Sequence, residues 1–314
     1  MFRLIKEKTN INFLGKSRRT VALVISAVFV VASILSLSTR GLQFGIDFTG
    51  GVLVEAAYEQ PADTDAIRSA LESDGFASAL VQQFGPDTDV LVRLPPQDDV
   101  ETSELRDRLE ATLERGTAGV EIRRIEAVSP QVGAELAEQG GLAMIFALLM
   151  IFAYVMFRFQ WKFAAGAVAA LAHDVIVTVG FFSIFGLPFD LTVVAAVLAV
   201  IGYSLNDTVV TFDRVRENFF KLRGVAAEEA MNTSVNEMLA RTLITGITTL
   251  IVLVALLTLG GEAIAPFSIA LIVGIIIGTY SSIYTASATA LLLGVNQQDL
   301  VEPVKDPELV DDLP

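Results

Sequence analysis

Cysteine is absent from this chain of 314 residues, and histidine occurs once, at His173. Without cysteine, neither a disulfide framework nor a Cys-ligated metal site can form. A lone histidine, together with the lack of any acidic loop with calcium-site spacing, indicates that there is no metal site. The phosphate-binding pattern GxxxxGKS or GxxxxGKT is also missing. The sequence therefore predicts no cofactor, no nucleotide chemistry and no enzymatic activity.

Long hydrophobic runs place the chain in a membrane. Hydrophobic residues make up 53% of it, and the mean hydropathy is +0.59, which is typical of an integral membrane protein. A helix needs about 20 apolar residues to cross a bilayer. The sequence therefore predicts a polytopic α-helical membrane protein with six transmembrane helices. They cover residues 20–38, 139–157, 163–186, 191–212, 240–259 and 267–293.

The basic residues orient these spans. Of the 22 Lys and Arg residues, eight lie within residues 39–138, and the remaining fourteen all fall on the other side of the membrane. By the positive-inside rule that side is cytoplasmic, so both termini, residues 1–19 and 294–314, are expected there. Residues 39–138, called the outer domain below, are then translocated. The amphipathic segment 213–239 is predicted to be a cytoplasmic helix along the membrane surface.

The first span has some features of a signal peptide. It follows Lys16, Arg18 and Arg19, and Ser36 and Ser38 provide small residues for cleavage. Its apolar run is longer than the roughly 7–15 residues usual in signal peptides. A retained membrane anchor is therefore the favoured interpretation.

The outer domain alternates between strand and helix patterns. The segments VLVEAAY, SALVQQF, DVLVRLP and VEIRRIEAVS have the composition of strands. ADTDAIRSALESDG and SELRDRLEATLERG have apolar residues spaced for one helix face. The order βαββαβ predicts an extracytoplasmic ferredoxin-like α+β domain.

The outer domain is acidic, with 20 Asp and Glu residues against its eight basic residues. A solvated surface that keeps the domain soluble is one explanation. A surface that attracts basic or unfolded polypeptide is the other. Nothing in the domain is typical of a nucleic-acid-binding surface, so no nucleic-acid partner is expected.

Three ionisable residues within apolar segments are candidate functional residues: Asp174, Asp207 and Arg241. A charge at the bilayer centre costs roughly 2.5–3.5 kcal/mol on insertion scales, so such residues usually bind, pair or move something. All three are candidates for ion coupling: Asp207 is the main one, Arg241 could pair with it, and Asp174 is also expected to belong to the polar bundle core. The alternatives are a static helix contact for Asp207 and an interfacial anchor for Arg241. Beside Asp174, His173 could relay protons or could stay neutral and hydrogen-bonded.

Further polar residues form stripes along the last three spans. Such side chains are expected to face protein or water rather than lipid, and small hydroxylic residues suit close helix packing. The sequence therefore predicts that the three stripes meet in a polar bundle core. Its candidate members, besides His173, are Ser204, Asn206, Thr208, Thr245, Ser282 and Thr285.

The links between the outer domain and the first two spans contain residues suited to hinges. They are Gly45, Gly50, Gly51, Pro130 and Gly133. Hinges absorb backbone change at a few positions, so these links are expected to let the outer domain move. Close packing or unusual backbone angles are the alternative explanation for the glycines.

Five segments carry a resemblance to a known family. They are FGIDFTGG (44–51), AHDVIVTVGFF (172–182), IGYSLNDTVVTFDRVREN (201–218), RTLITGITTL (241–250) and TYSSIYTAS (279–287). In this order, with six spans and a long first outer loop, they resemble the SecF branch of the bacterial SecD/SecF family.

The resemblance implies a member of the resistance-nodulation-division superfamily in the bacterial inner membrane, with a periplasmic outer domain. The implied function is to use a proton or sodium gradient to assist late steps of preprotein translocation. The implied partners are SecD, the SecYEG channel, YajC, the unfolded preprotein, H+ or Na+, and membrane lipid.

Other functions stay open at this point. One is half of a proton-driven solute exporter, with the second half supplied by a partner, and another is a structural assembly factor. An intramembrane aspartyl protease could use Asp174 and Asp207, but the acid lies in SLND rather than in a GxGD sequence.

Overall fold

The computed structural model describes residues 9–76, 78–96, 102–222, 224–261 and 264–296. Most of the predicted 294–314 tail and the first eight residues of the predicted 1–19 segment lie outside these ranges. Six helices in the described ranges are long and apolar enough to cross a membrane. They are α1 (Lys16–Thr39), α5 (Pro130–Arg158), α6 (Trp161–Phe185), α7 (Leu191–Lys221), α8 (Ala227–Leu259) and a last span made of α9 (Ala265–Ser281), a π-helical turn (Ser282–Ala286) and α10 (Ser287–Leu292).

α6, α7 and α9 form the interior of the helix bundle. In the apolar stretch of each helix, 50% of α6 and of α7 is buried, against 6% of α5 and 17% of α1 and of α8. Glycines allow the interior helices to approach closely. A Cβ atom on Gly274 would lie 2.2 Å from Val200, and one on Gly166 would lie 2.6 Å from the carbonyl oxygen of Ala286. The bundle is therefore held by backbone-to-side-chain contact, as is usual where small residues line helix interfaces.

The outer domain has the predicted ferredoxin-like fold. Its elements are β2 (Gly51–Tyr58), α3 (Thr64–Ser73), β3 (Leu80–Gln83), β4 (Asp89–Leu94), α4 (Thr102–Gly116) and β5 (Val120–Val128). The four strands form an antiparallel sheet in the order β3-β4-β2-β5. Ile67 and Leu71 of α3 and Leu109 and Leu113 of α4 are fully buried against the sheet. One face of the sheet is thus covered by helices, and the other face is directed toward the membrane side of the molecule.

Three short elements join the outer domain to the bundle: β1 (Gln43–Phe44), α2 (Ile46–Thr49) and β6 (Pro188–Phe189). β1 and β6 pair in parallel. Phe48 and Phe189 stack with ring centroids 6.1 Å apart. Asp47 accepts a hydrogen bond of 3.0 Å from the backbone N–H of Leu191, the first residue of α7.

The predicted hinge residues lie in this junction and are closely packed. Gly50 has φ +68°, and a Cβ there would lie 2.7 Å from Cα of Pro130. A Cβ on Gly133 would lie 2.9 Å from the backbone nitrogen of Gly50, and one on Gly51 would lie 2.4 Å from the carbonyl oxygen of Leu94. In this conformation the glycines serve close packing, which leaves their role as hinges a prediction.

The segment 213–239 differs from its prediction as a separate surface helix. α7 continues to Lys221 and α8 begins at Ala227, so the segment consists of the ends of two long helices. The physical reason is that Phe219 of α7 and Met231 of α8 are buried in one hydrophobic core. An amphipathic pattern suits a helix pair as well as a helix on a membrane, and here the helix pair forms.

Two other spans differ in extent from the prediction. α5 begins at Pro130 rather than at residue 139, because Ser129 caps it and proline is suited to the first helical turn. The last span, expected as one helix over residues 267–293, is interrupted by the π-helical turn.

A glycine-to-leucine change tests the contact between α1 and α6. A Cβ on Gly180 would lie 2.2 Å from Ser33, so Gly180→Leu should separate the two helices, and overpacking of this kind typically costs about 1–3 kcal/mol. The Ser36 and Ser183 hydroxyls lie 2.8 Å apart, and a Cys pair at these positions should cross-link readily in a chain without other cysteines. Gly180→Leu should prevent that cross-link.

Gly141→Leu is the matched control, because a Cβ at Gly141 meets nothing within 4 Å. It should leave the cross-link intact. Equal cross-linking in the two leucine variants would contradict the packing described for α1 and α6.

Candidate functional site

α7 presents polar side chains to two different neighbours. Ser204 and Thr208, both 1% exposed, contact α6 and the last span. Asp207, between them on the helix, bonds to Thr242 of α8 and also lies near Ser282 of the last span. The predicted stripe on α7 is therefore wide enough to serve two polar clusters at once.

The Asp207 carboxylate is only partly satisfied. Its Oδ1 accepts a hydrogen bond of 2.6 Å from the Thr242 hydroxyl of α8. Its Oδ2 is buried and has no hydrogen-bond partner among the described residues. A cavity of about 230 Å³ adjoins the carboxylate. Residues of α7 and α8 line it: Tyr203, Asn206, Asp207, Val210, Arg241, Thr245, Thr248 and Thr249.

Arg241 lines the same cavity as Asp207. No ion pair between the two is formed within the described ranges, and the neighbouring residue Thr242 contacts the carboxylate instead. The Thr245 hydroxyl bonds to the carbonyl oxygens of its own helix. The guanidinium is thus a second charge at the cavity, available to the carboxylate but not bound to it.

Asp174 is the centre of a second polar cluster. It is fully buried, and its Oδ2 accepts hydrogen bonds from the hydroxyls of Ser204 (2.6 Å) and Ser281 (2.7 Å). Its Oδ1 lies 3.0 Å from Nδ1 of His173. Gly278 makes room for this cluster, since a Cβ there would lie 3.2 Å from Ser204. Asp174 therefore ties α6, α7 and α9 together, as expected for a member of the polar core.

The last span supplies hydroxyls to both sides of the core. Ser282 lies 2.9 Å from the Thr208 hydroxyl and 3.5 Å from the Ser204 carbonyl oxygen. Thr285 lies 3.1 Å from Ser26 of α1. Both Ser282 and Thr285 belong to the π-helical turn, and such turns are frequent at functional sites. The polar stripes of α7 and the last span meet around this turn, whereas the stripe of α8 faces α7 at the Asp207 cavity.

Sequence reasoning missed several members of the two clusters. Thr242 is the hydrogen-bond partner of Asp207, and its spacing from Thr245 (i, i+3) was the available signal. Ser281 was visible as part of a small-residue stripe but not as a partner of Asp174. Ser26 and Tyr280 face the core from α1 and α9; an isolated polar residue in an apolar helix gives no indication of its partner.

Polar contacts also fix the ends of α7 and α8 that lie away from the outer domain. The Asn218 side chain of α7 donates to Ser234 (3.0 Å) and Glu237 (2.7 Å) of α8. Asn232 and Asn236 of α8 hydrogen-bond to the backbone of residues 11–14. The helix that carries Arg241 and Thr242 is therefore anchored to α7 and to the segment before α1.

A groove lies between the outer domain and the outer loops of the bundle. Its volume is about 830 Å³, and it runs from the β3–β4 hairpin to the start of α9. β3 pairs only with β4 among the described strands, so its other edge is open beside the groove. On the same sheet face, burial lowers the pKa of Arg93, and the charge of Asp190 opposes that change.

Two sequence families match this chain. The family described as "Protein export membrane protein SecD/SecF, C-terminal" matches residues 108–296, and "SecD/SecF GG Motif" matches residues 35–62. The protein translocase subunit SecF of Vibrio alginolyticus is 50% identical over 309 residues, which are 98% of each chain. The SecF subunit of Pseudomonas aeruginosa is 48% identical over 306 residues, 97% of this chain and 98% of its own.

Solved structures agree with these relatives. SecDF from Thermus thermophilus, a translocon-associated membrane protein, superposes with a TM-score of 0.82 at 35% identity. SecDF in a super-membrane-facing form gives a TM-score of 0.66 at the same identity. The chain is covered to 91% and 93%, respectively, but it spans only 39% of each SecDF chain. Its fold, its motifs and its 48% and 50% identity to these relatives over nearly the full length show that the chain belongs to the SecF branch of the SecD/SecF family.

Proposed function

We propose that this chain is the ion-coupling SecF subunit of a Sec-type protein translocase in the bacterial inner membrane. It uses a proton or sodium gradient to assist late steps of preprotein translocation. It acts as a coupling subunit rather than as an enzyme. Both termini are cytoplasmic and the outer domain is periplasmic, as the distribution of Lys and Arg favours.

The observation that carries this proposal is the free Oδ2 atom of Asp207. It is buried, lacks a hydrogen-bond partner among the described residues, and adjoins a polar cavity that also contains Arg241. An unsatisfied buried acceptor is costly, and uptake of a proton or a sodium ion relieves that cost. In one state the cation occupies the carboxylate, and in the other Arg241 approaches it. Exchange between the two states moves α7 relative to α8.

The membrane field supplies enough free energy for such a switch. Moving one charge yields about 2.3 kcal/mol per 100 mV. Shifting a two-state element from 1:99 to 99:1 takes about 5.5 kcal/mol. Two charges that cross about 120 mV therefore suffice, so two ions per cycle meet the requirement.

The outer domain transmits the change to the secreted chain. Its edge strand β3 and the groove beside it offer backbone hydrogen bonds and apolar surface to an extended polypeptide. The two SecDF structures differ in TM-score to this chain, 0.82 and 0.66, at the same identity. That difference supports a family in which the parts of the molecule change their arrangement.

SecD is the partner for which support is strongest. This chain spans 39% of each SecDF chain, and SecD accounts for the remainder. The SecYEG channel, YajC, membrane lipid and the unfolded preprotein complete the proposed assembly.

Asp207→Asn tests the coupling role directly. The amide keeps the shape of the side chain but cannot exchange a cation, so ion-gradient-dependent stimulation of secretion should be lost while insertion and association with SecD persist. Protein secretion into inverted vesicles, with and without a gradient, measures the effect.

Asp213→Asn is the matched control on the same helix. Asp213 pairs with Arg158 at a partly exposed position, where a salt bridge contributes only about 0–1 kcal/mol. This variant should secrete normally. If Asp207→Asn retains full gradient-dependent secretion at normal abundance, the chain is a structural assembly factor and the coupling role is wrong.

Thr242→Val tests the hydrogen bond that orients Asp207. A hydrogen bond to a charged group contributes about 1.5–3 kcal/mol, so its loss should reduce gradient-dependent secretion severalfold, whereas Thr242→Ser should restore it. Thr258→Val, on the same helix but bonded only to its own backbone in the described structure, should have no effect. Equal activity of the two valine variants would show that Thr242 does not support the site.

A reversible cross-link tests motion of the outer domain. Gln43 belongs to β1, which pairs with β6 of the bundle, and its side chain meets that of Gln82 on β3 at 3.4 Å. A short cleavable cross-linker between cysteines at these two positions should therefore lock the sheet of the outer domain to the bundle. Gradient-dependent secretion should stop and should return after cleavage. Single-cysteine variants, and the double variant treated with a monofunctional reagent, are the controls. Normal secretion by the locked protein would make the outer domain a passive docking surface.

A further inference from the structure

His173 has one ring nitrogen that nothing in the described structure satisfies. The side chain is 4% exposed, and its Nδ1 lies 3.0 Å from Oδ1 of Asp174. Its Nε2 is buried and has no hydrogen-bond partner among the described residues. Buried polar atoms without partners are rare and call for an explanation.

The hydrogen bonds around Asp174 favour one arrangement of the protons. The carboxylate accepts from the hydroxyls of Ser204 and Ser281 at Oδ2 and faces His173 at Oδ1. Three donors suit an ionised carboxylate. The third donor is then the Nδ1–H of His173, and the neutral ring carries a free lone pair on Nε2.

We propose that His173 and Asp174 form a second proton-binding site, separate from Asp207, which takes up its proton at Nε2 of His173. No covalent step is involved: the lone pair of Nε2 gains a proton and the ring becomes an imidazolium. The pair then changes from one net negative charge to a neutral ion pair. A carboxylate hydrogen-bonded to Nδ1–H stabilises an imidazolium in the same way in serine-protease triads.

The surroundings leave Asp174 as the dominant charge at this site. On α9, Tyr280 lies with its ring centroid 6.3 Å from that of His173, and its hydroxyl donates to the carbonyl oxygen of Ala22. Tyr284 of the π-helical turn packs against Tyr280 with its ring tilted by 40° and the ring centroids 5.1 Å apart. α7 brings Ser204 to the pair and carries Asp207 three residues further on, directed at α8.

The remaining helices that pack against α6 add no charge here. α1 contributes Ala22 and Ser26 on its buried face, and its residues 20–39 contain no Asp, Glu, Lys, Arg or His. α10 contains none either, and the charged residues of α5 lie near its ends. A lone buried carboxylate is costly, and its neutralisation by a proton on the adjacent ring reduces that cost.

The test uses the fact that His173 is the sole histidine of the sequence. In the full chain, labelled with ¹⁵N-histidine and assembled with its unlabelled partner subunit in lipid nanodiscs, magnetic resonance observes a single imidazole. At high pH the ring should carry its proton on Nδ1. On acidification it should become doubly protonated. A ring protonated on Nε2 at high pH, or one that stays neutral down to the pH at which the protein unfolds, would overturn the proposal.

Three variants complete the experiment. Asp174→Asn removes the charge that stabilises the imidazolium, so the midpoint of the ring titration should fall by roughly one pH unit or more, a tenfold loss of proton affinity. Asp213→Asn, far along α7, should leave it unchanged. Asp207→Asn should also preserve the titration, because the two sites are separate.

A midpoint unaffected by Asp174→Asn, or a titration abolished by Asp207→Asn, would refute a separate His173–Asp174 site. If Asp174→Asn fails to fold, the tautomer and titration of the unchanged protein still decide. None of these readouts depends on secretion, so the proposed function and this inference can fail independently.

Discussion

A polar group inside a bilayer has no water to bind, and the arrangement of the helices follows from that constraint. In the described part of the bundle, many buried polar groups of α6, α7 and the last span satisfy one another, with Asp174, Ser204 and Ser281 at the centre. These bonds require the helices to approach closely, and the glycines of α6 and α9 permit it. Against that background, Oδ2 of Asp207, Nε2 of His173 and the hydroxyl of Tyr203 are the unsatisfied buried atoms of ionisable side chains in the described membrane helices.

Close packing also characterises the junction with the outer domain. Gly50, Gly51 and Gly133 let β2, α2 and the start of α5 touch through their backbones, and Asp47 ties α2 to the first turn of α7. α5 meanwhile buries little of its surface in the bundle. The outer domain is thus joined most firmly to the helix that is least firmly held by the others. Displacement of the domain and displacement of α5 are expected to accompany one another.

Much of this architecture could be predicted from the sequence. The ferredoxin-like fold follows from the order of strand and helix patterns, and Asp207 stands out because a charge in an apolar span is costly. The partner of Asp207 could not be predicted, because it depends on how α8 is rotated about its axis. Arg241 was the more conspicuous residue, whereas its neighbour Thr242 makes the contact. The segment 213–239 was misassigned because an amphipathic helix buries its apolar face equally well in a membrane surface or in a second helix.

The π-helical turn of Ser282–Ala286 has a consequence for the register of the last span. A π turn accommodates one residue more than an α-helical turn of similar rise, so it shifts all following side chains by roughly 100° around the helix axis. Ser281 before the shift meets Asp174, whereas Ser282 and Thr285 within it meet Thr208 and Ser26. The last span thus contacts α6, α7 and α1 through residues in and beside this turn, so the number of residues between Ser281 and Ser287 matters as well as their identity.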